Sequence, residues 1–494
     1  MFKRITALLL LSAVILTVLA SCAQDAKGGE DLPDLSAETT AEPVETKQQS
    51  KLPSLNYDGA NMRIKYFGYE DSEMYDAVGE HSGDVVTDAV YNRNIRVADL
   101  LNVKFEWLKG SDVWENFPEE VRRSVMAGSD DFDLVFMESS QCFRLSLEGF
   151  FRSFTGAPYI DYEAPWWYTE FMNEACITPD QRYFVTGAFS LTTMLFASAV
   201  YFNKTIYTDN FGDPHDLYQK VLDKKWTYDE LIRLSRAVYK DLNGNNEIDD
   251  GDLLGFYTHG QRTVNYMSMS TGLTYIQRDE RGVPVLDIYN DDTLKWVDLL
   301  YTMCFDTTVS LPEPEMKAFL EERALFYLMM LTNIKEIRDT EFAWGILPYP
   351  TLYEGMEFKS AAGTVNGNSA VVPTTADDAM FEMCCAVLEA LSYDAYNNVV
   401  PAWYEIALKH KYADTEMDSK MVDVIYDSIY CPFIMIIDKY LNLGSFFYNS
   451  VYQANVNSSN FASFWEKRKK SNLTQWDKMI EKYFEMVEKT AAGK

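Results

Sequence analysis

Apolar residues recur along this chain in short runs, separated by longer stretches with helical spacing. The first run, 62–67 (MRIKYF), alternates and predicts a strand. Over 85–101, Val86, Ala89, Val90, Ile95 and Val97 fall on or near one face and predict a helix. Then 103–107 (VKFEW) predicts a strand, 117–126 a helix and 133–137 (DLVFM) a buried strand. Strands alternating with helices imply a largely parallel sheet covered on both faces. Segments 183–187 and 198–203 predict further strands. Thr227 predicts a helix start, because its hydroxyl can accept from a free first-turn N–H, and Glu230 three positions on completes a capping box. Leu231, Leu234, Ala237 and Val238 carry that helix forward. Helices are also predicted over 293–304, 315–333, 379–391, 402–411 and 476–489. Segment 342–349 (FAWGILPY) predicts a strand ended by Pro348 and Pro350.

The helix after Thr227 runs into a cluster of oxygen-bearing residues. Asp241, Asn243 and Asn245 stand where a twelve-residue calcium loop has its first, third and fifth ligands. Glu247 would offer its carbonyl at the seventh position, and Asp252 stands at the twelfth. Asn246 replaces the usual sixth-position glycine, a place that needs a left-handed backbone, and Asn tolerates one better than most residues. No exit helix is evident after Asp252, and the competing reading is a solvated acidic loop. A structural Ca2+ that fixes the loop is the expectation, since nothing nearby suggests chemistry.

Composition narrows the function. A chain of 494 residues with 47% hydrophobic and 14% aromatic content suits two lobes with large cores. A formal charge of −31 argues against nucleic acid, whose phosphates need Lys and Arg, and against direct docking on anionic lipid. At the N-terminus, Lys3 and Arg4 precede a mostly apolar 5–20 stretch and Leu19-Ala20-Ser21-Cys22. That pattern predicts a lipoprotein signal over 1–22, with Cys22 as the lipidated residue and the protein held outside the cytoplasm on the membrane by its lipid. Segment 23–58 is rich in Glu, Asp, Thr, Ala, Pro and Gln and predicts a disordered tether. The other cysteines, Cys142, Cys176, Cys304, Cys384, Cys385 and Cys431, have largely apolar neighbours and are expected as buried free thiols.

Catalytic signatures are sparse. The four histidines form no HExxH, and there is neither a G-x-S-x-G elbow nor a Walker pattern. With 75 acidic residues, a glycosidase-like carboxylate pair stays open. Two readings therefore stand: a non-catalytic protein that closes on a solute, and a cell-surface carbohydrate-active enzyme with a calcium loop.

Ordered motifs favour the first. Phe202-Asn203-Lys204, Asp216-Leu217-Tyr218, Lys225-Trp226-Thr227 and the run from Asp241 to Phe256 follow one another as in the family 1 extracellular solute-binding proteins of ABC importers, which the chain resembles. Ala127-Gly128 with Asp133-Leu134-Val135, Pro165-Trp166-Trp167, the GILPYP stretch at 345–350 and Asp414 to Met417 extend the resemblance over roughly 60–430. Relatives often carry Gly-Asp where this chain has Gly187-Ala188, so one potential ligand carboxylate is missing. The resemblance implies an α/β fold of two lobes, periplasmic-binding-protein-like (type II), joined by crossovers near 187–200, 338–348 and 388–398. Lobe 1 would comprise 59–190 with 343–391, and lobe 2 would comprise 191–342 with 392–494. It also implies delivery of a solute, a carbohydrate or oligosaccharide, to an importer permease without chemistry.

Ligands of two-lobed α/β binders sit at strand C-terminal ends and crossovers. That selects Tyr69, Asp71, Glu138, Phe189, Asn366 and Asn368, with Trp166, Trp167 and Trp403 as rings that can stack on a sugar. Core burial is the competing fate of the three tryptophans, and a turn that of the asparagines.

Overall fold

Two separate sheets organise the chain in the computed structural model, which describes residues 49–492 apart from 180, 259, 313–314, 363–366, 408–414 and 442. The first sheet begins with β1 (Ala60–Tyr66), α1 (Val85–Leu101), β2 (Val103–Lys109), α2 (Asn116–Met126), β3 (Leu134–Glu138) and α3 (Ser139–Ser146). β1 lies parallel to both β2 and β3, and every residue of β3 is buried. Asp84 starts α1, its carboxylate accepting from the N–H groups of Val86 (3.1 Å) and Thr87 (3.0 Å). Asn102, left-handed at φ 49°, ends it.

The second sheet is built from β4 (Ser198–Asn203), followed by α4 (Tyr228–Val238), α5 (Gln261–Met269) and α6 (Asp291–Phe305), then β5 (Phe326–Met330) and β6 (Trp344–Leu347). β4 is its centre and runs antiparallel to both partners. Thr227 caps α4 by accepting from the Glu230 N–H at 3.3 Å. The capping box is only half made, because the Glu230 carboxylate bonds Arg233 instead, at 2.7 Å.

β7 (Asn368–Val371) returns to the first sheet, antiparallel to β3, and α7 (Asp378–Asp394) covers α1. α8 (Thr415–Asp427) lies against β6, and α9 (Ser458–Ala492) closes the fold. The six described cysteines are free and buried.

Four expectations about elements and chain path change. Segment 315–333 is not one helix. A helix covers Glu315–Leu320, Glu322 turns left-handed at φ 57°, and 326–330 becomes β5. Segment 342–349 does not carry the chain back, because β6 pairs with β4 and remains in the second sheet. The return comes later, where Ala362 bridges Ala197 and the chain then reaches β7. Nor does the chain change lobes at 388–398: α7 and the turns that follow still lie on α1, and α8 is the first element on β6. Segment 183–187 makes only isolated bridges, Val185 with Ala370 and Gly187 with Trp167.

The C-terminal part lies between the lobes. The helical turns Phe433–Ile436 and Asp438–Leu441 cover α3, while Ser445 accepts from Gln261 (2.7 Å) and Asn265 (3.2 Å) of α5. α9 begins on the second lobe, where the Ser458 N–H donates to Asp298 of α6 at 3.0 Å. Along its length Trp476 donates to the Pro284 carbonyl at 3.0 Å, and Tyr483 bonds Thr178 of the first lobe at 2.6 Å.

Candidate functional site

The ends of β1 and β2 set one wall of the interlobe cleft. The Gly68 N–H donates to the Ser111 carbonyl (3.0 Å) and the Gly110 N–H to the Tyr66 carbonyl (2.9 Å). A methyl group on Gly68 would run into the Gly110 carbonyl, so this approach requires glycine. It brings Tyr69 beside Trp114 with ring centroids 6.3 Å apart. Both rings rest on Phe67, whose centroid is 6.1 Å from Tyr69 and 4.3 Å from Trp114. Phe67 is buried, whereas Tyr69 is 37% exposed and Trp114 partly so. The result is an aromatic shelf with a dry underside and an open edge.

The opposite wall supplies cations. Lys335, in the short helix Ile334–Ile337 beyond β5, donates to the Tyr75 hydroxyl at 2.8 Å and lies 4.6 Å over that ring. Burial raises the Asp71 carboxyl above its ordinary value, and Lys335 pulls it back. Burial likewise raises the Tyr69 hydroxyl, with Asp71 and Glu70 adding to the rise and Arg262 of α5 opposing it. Tyr69 and Asp71 from one lobe thus share a field with Arg262 and Lys335 from the other.

The remaining candidates lie deeper. Trp166 and Trp167 are buried, and their indole N–H groups donate to the two oxygens of Glu389 at 3.1 and 2.9 Å. Phe189 is wholly buried against Phe136 and Trp167, and its carbonyl accepts from Arg93 at 2.9 Å. Asn368 is buried and donates to Ser72 (2.9 Å) and Asp76 (2.7 Å). Trp403 is buried beside Tyr404, in a helix that packs on α1. Glu138 ends β3 opposite Asn368 and accepts from the Ser140 hydroxyl. Asn366 lies outside the described residues, as does Cys22. Among the described residues of the sequence-selected set, only Tyr69 and Asp71 therefore meet at an open surface. Tyr75, Trp114, Arg262 and Lys335 escaped sequence reasoning, since nothing in their local pattern separates them from ordinary surface residues.

Beneath this wall, Asp76 is buried beside the first interlobe connection. Its carboxylate accepts from the Thr192 N–H (2.8 Å), the Thr192 hydroxyl, Ser190 (3.3 Å) and Asn368. Burial raises its pKa to about 6 despite those bonds.

In loop 241–252 the polar groups bond one another. Asp241 accepts from the N–H groups of Gly244 (2.6 Å) and Asn246 (2.9 Å). Asp249 accepts from the side-chain amides of Asn243 (2.9 Å) and Asn245 (2.6 Å), and buried Asp252 accepts from the Leu242 N–H (3.1 Å). Asn245 accepts from the Glu247 N–H at 2.7 Å. Asn246 is left-handed at φ 60°, the conformation its position requires. Among the described residues, no three His, Cys, Asp or Glu side chains are grouped to hold a metal.

No family model and no curated protein matches this sequence. Solved structures do match. The sugar-binding protein MalE of Xanthomonas citri aligns with a TM-score of 0.57 at 10% identity, over 85% of this chain and 99% of its own. A family 1 extracellular solute-binding protein of Bifidobacterium longum subsp. infantis gives 0.53 at 11%, over 85% and 99%. A sugar transporter of Rhizobium etli, in an open conformation, gives 0.53 at 14%, over 86% and 99%. The chain has the two-lobed fold of periplasmic binding proteins and resembles these family 1 sugar binders over most of its length. No helix among the described residues is long and apolar enough to cross a membrane.

Proposed function

We propose that this protein is an extracytoplasmic solute-binding protein, anchored through lipid on Cys22, that delivers a carbohydrate to an ABC importer. The observation that carries the reading is the cleft itself: the Tyr69–Trp114 pair lies on one lobe, and Lys335 of the other reaches across to Tyr75. Aromatic faces suit the apolar face of a sugar, and flanking charged groups suit its hydroxyls. The ligand would select a closed arrangement through contacts with both lobes, and a permease would read that shape. This needs no covalent step, so no catalytic residue is assigned. The solved structures that share the fold include sugar binders, which supports the solute class.

Calorimetry with a saccharide panel, paired with small-angle scattering, tests the reading. Saturable binding with compaction is expected. Absence of both across the panel, or release of reducing ends from the glycans, would overturn it. Membrane fractionation of Cys22→Ala tests the anchor: the variant should leave the membrane or remain unprocessed, and unchanged anchoring would remove the assignment.

A further inference from the structure

A small hairpin carries the second lobe onto the first. It lies between α5 and α6, and its strands Ile276–Arg278 and Pro284–Leu286 pair antiparallel. Ile276, Val283 and Leu286 are buried. Asp279 sets the turn, its carboxylate accepting from the N–H groups of Arg281 (2.9 Å) and Val283 (3.0 Å). Gly282 follows at φ 77°, and a methyl group there would press on the Pro179 ring at 2.9 Å. Pro179 belongs to the first lobe, so the left-handed turn and the close approach both call for glycine.

Arg278 reaches the same first-lobe segment. Its Nη1 donates to the Gly282 carbonyl of its own turn (2.8 Å) and to the Cys176 carbonyl (3.0 Å), with the Ile177 carbonyl at 3.4 Å. Its Nη2 donates to the Glu174 carbonyl at 3.3 Å. Glu174 ends the helix Thr169–Glu174. The last carbonyls of a helix have no partner within it, and an arginine beside them satisfies them. The planar guanidinium serves several carbonyls at once, and the Gly282 bond keeps it aimed. Helix α9 meets both parts: Trp476 donates to Pro284, Tyr483 bonds Thr178, and the Arg281 guanidinium lies 5.6 Å over the Phe484 ring.

We propose that this hairpin is a clasp that stays fastened while the cleft opens and closes, with Arg278 as the residue that fastens it. At the cleft, exposed Lys335 meets Tyr75 through one hydrogen bond and one cation–π contact. At the clasp, Arg278 reaches three first-lobe carbonyls, two of them on the buried residues Cys176 and Ile177, and Gly282 sits against Pro179. Water replaces the partner of Lys335 as it leaves Tyr75, whereas parting the clasp strips a guanidinium and several carbonyls of partners together. The lobes therefore separate first at Lys335 and last at Arg278. A solute that draws them together acts on the cleft contact and leaves the clasp as it is.

The test is pulsed electron paramagnetic resonance on the ligand-free full chain, with pairs of spin labels carried on introduced unnatural amino acids so that the cysteines stay untouched. One pair, at Asn173 and Gln277, spans the clasp, and the other, at Glu70 and Glu336, spans the cleft; all four residues are exposed. The clasp pair should give a single distance distribution narrower than that of the cleft pair. A clasp distribution as wide as the cleft's, or wider, would overturn the proposal. Arg278→Ala should broaden the clasp distribution toward the cleft's width, and an unchanged distribution would remove Arg278 from its role. The first comparison is made on the parent and does not depend on how the variant folds. Neither needs a ligand, so their outcome is separate from that of the saccharide panel.

Discussion

Lys335 donates to the hydroxyl of Tyr75 across the cleft at 2.8 Å while lying 4.6 Å over its ring. The two residues belong to different lobes, so this contact holds the lobes together before any ligand arrives. An exposed cation–π contact contributes about 0.5–1 kcal/mol, and a hydrogen bond roughly as much. Lys335→Met should therefore shift the free protein toward open forms by up to about tenfold. Small-angle scattering of the ligand-free variant should show a larger radius of gyration than the parent. Equal radii would mean that the contact does not restrain the lobes.

Asp76 gives the junction a pH dependence of definite sign. Its folded-state pKa of about 6 lies above the ordinary 3.8, so between those values the folded state holds a proton that the unfolded chain has lost. Its contribution to stability is accordingly present at low pH and is lost as pH rises through about 6. Asp76→Asn cannot titrate. Denaturant unfolding from pH 4 to pH 7 should show a flatter pH profile in the variant than in the parent over that window. Parallel profiles would show that Asp76 does not titrate there.

Trp167 and Glu389 form a folding unit. Trp167→Ala empties a large buried volume and should cost about 3–5 kcal/mol of stability. Glu389→Ala leaves the Trp166 and Trp167 N–H groups without their acceptor, at about 1–3 kcal/mol each. Chemical denaturation of both variants checks this, and a loss under about 1 kcal/mol in either would place the indoles elsewhere.

Calcium remains the proposal for loop 241–252. An ion that binds only the folded protein raises Tm with concentration. Calcium added to chelated protein should raise Tm, and Asp241→Ala should abolish the effect. Coincident melting curves would mean that the loop's own hydrogen bonds suffice to close it.

The first lobe was legible because its signals are local. The apolar face of 85–101 marks α1, and MRIKYF alternates as a strand must. β5 was misread because Phe326–Met330 is buried on both faces, and an unbroken apolar run carries no period to distinguish strand from helix. The signal that stops the preceding helix is the left-handed backbone at Glu322, a conformation its side chain does not advertise. Tyr69 and Asp71 were reachable because they follow a strand end. Arg262 and Lys335 were not, since what makes them part of the cleft is the approach of the other lobe, set by residues far away in sequence.

Helix α9 has a bearing on how the molecule can move. Its 35 residues make a rod about 50 Å long, fastened near its start to Asp298 and toward its end to Thr178. Trp465 and Trp476 also pin it to the segment between the lobes, through Phe446 and Phe433. A rigid bar joined to both halves acts as a spine, and the halves cannot part along it without breaking those joints. Whatever travel the halves retain must leave the bar in place, so they swing about it rather than slide past one another.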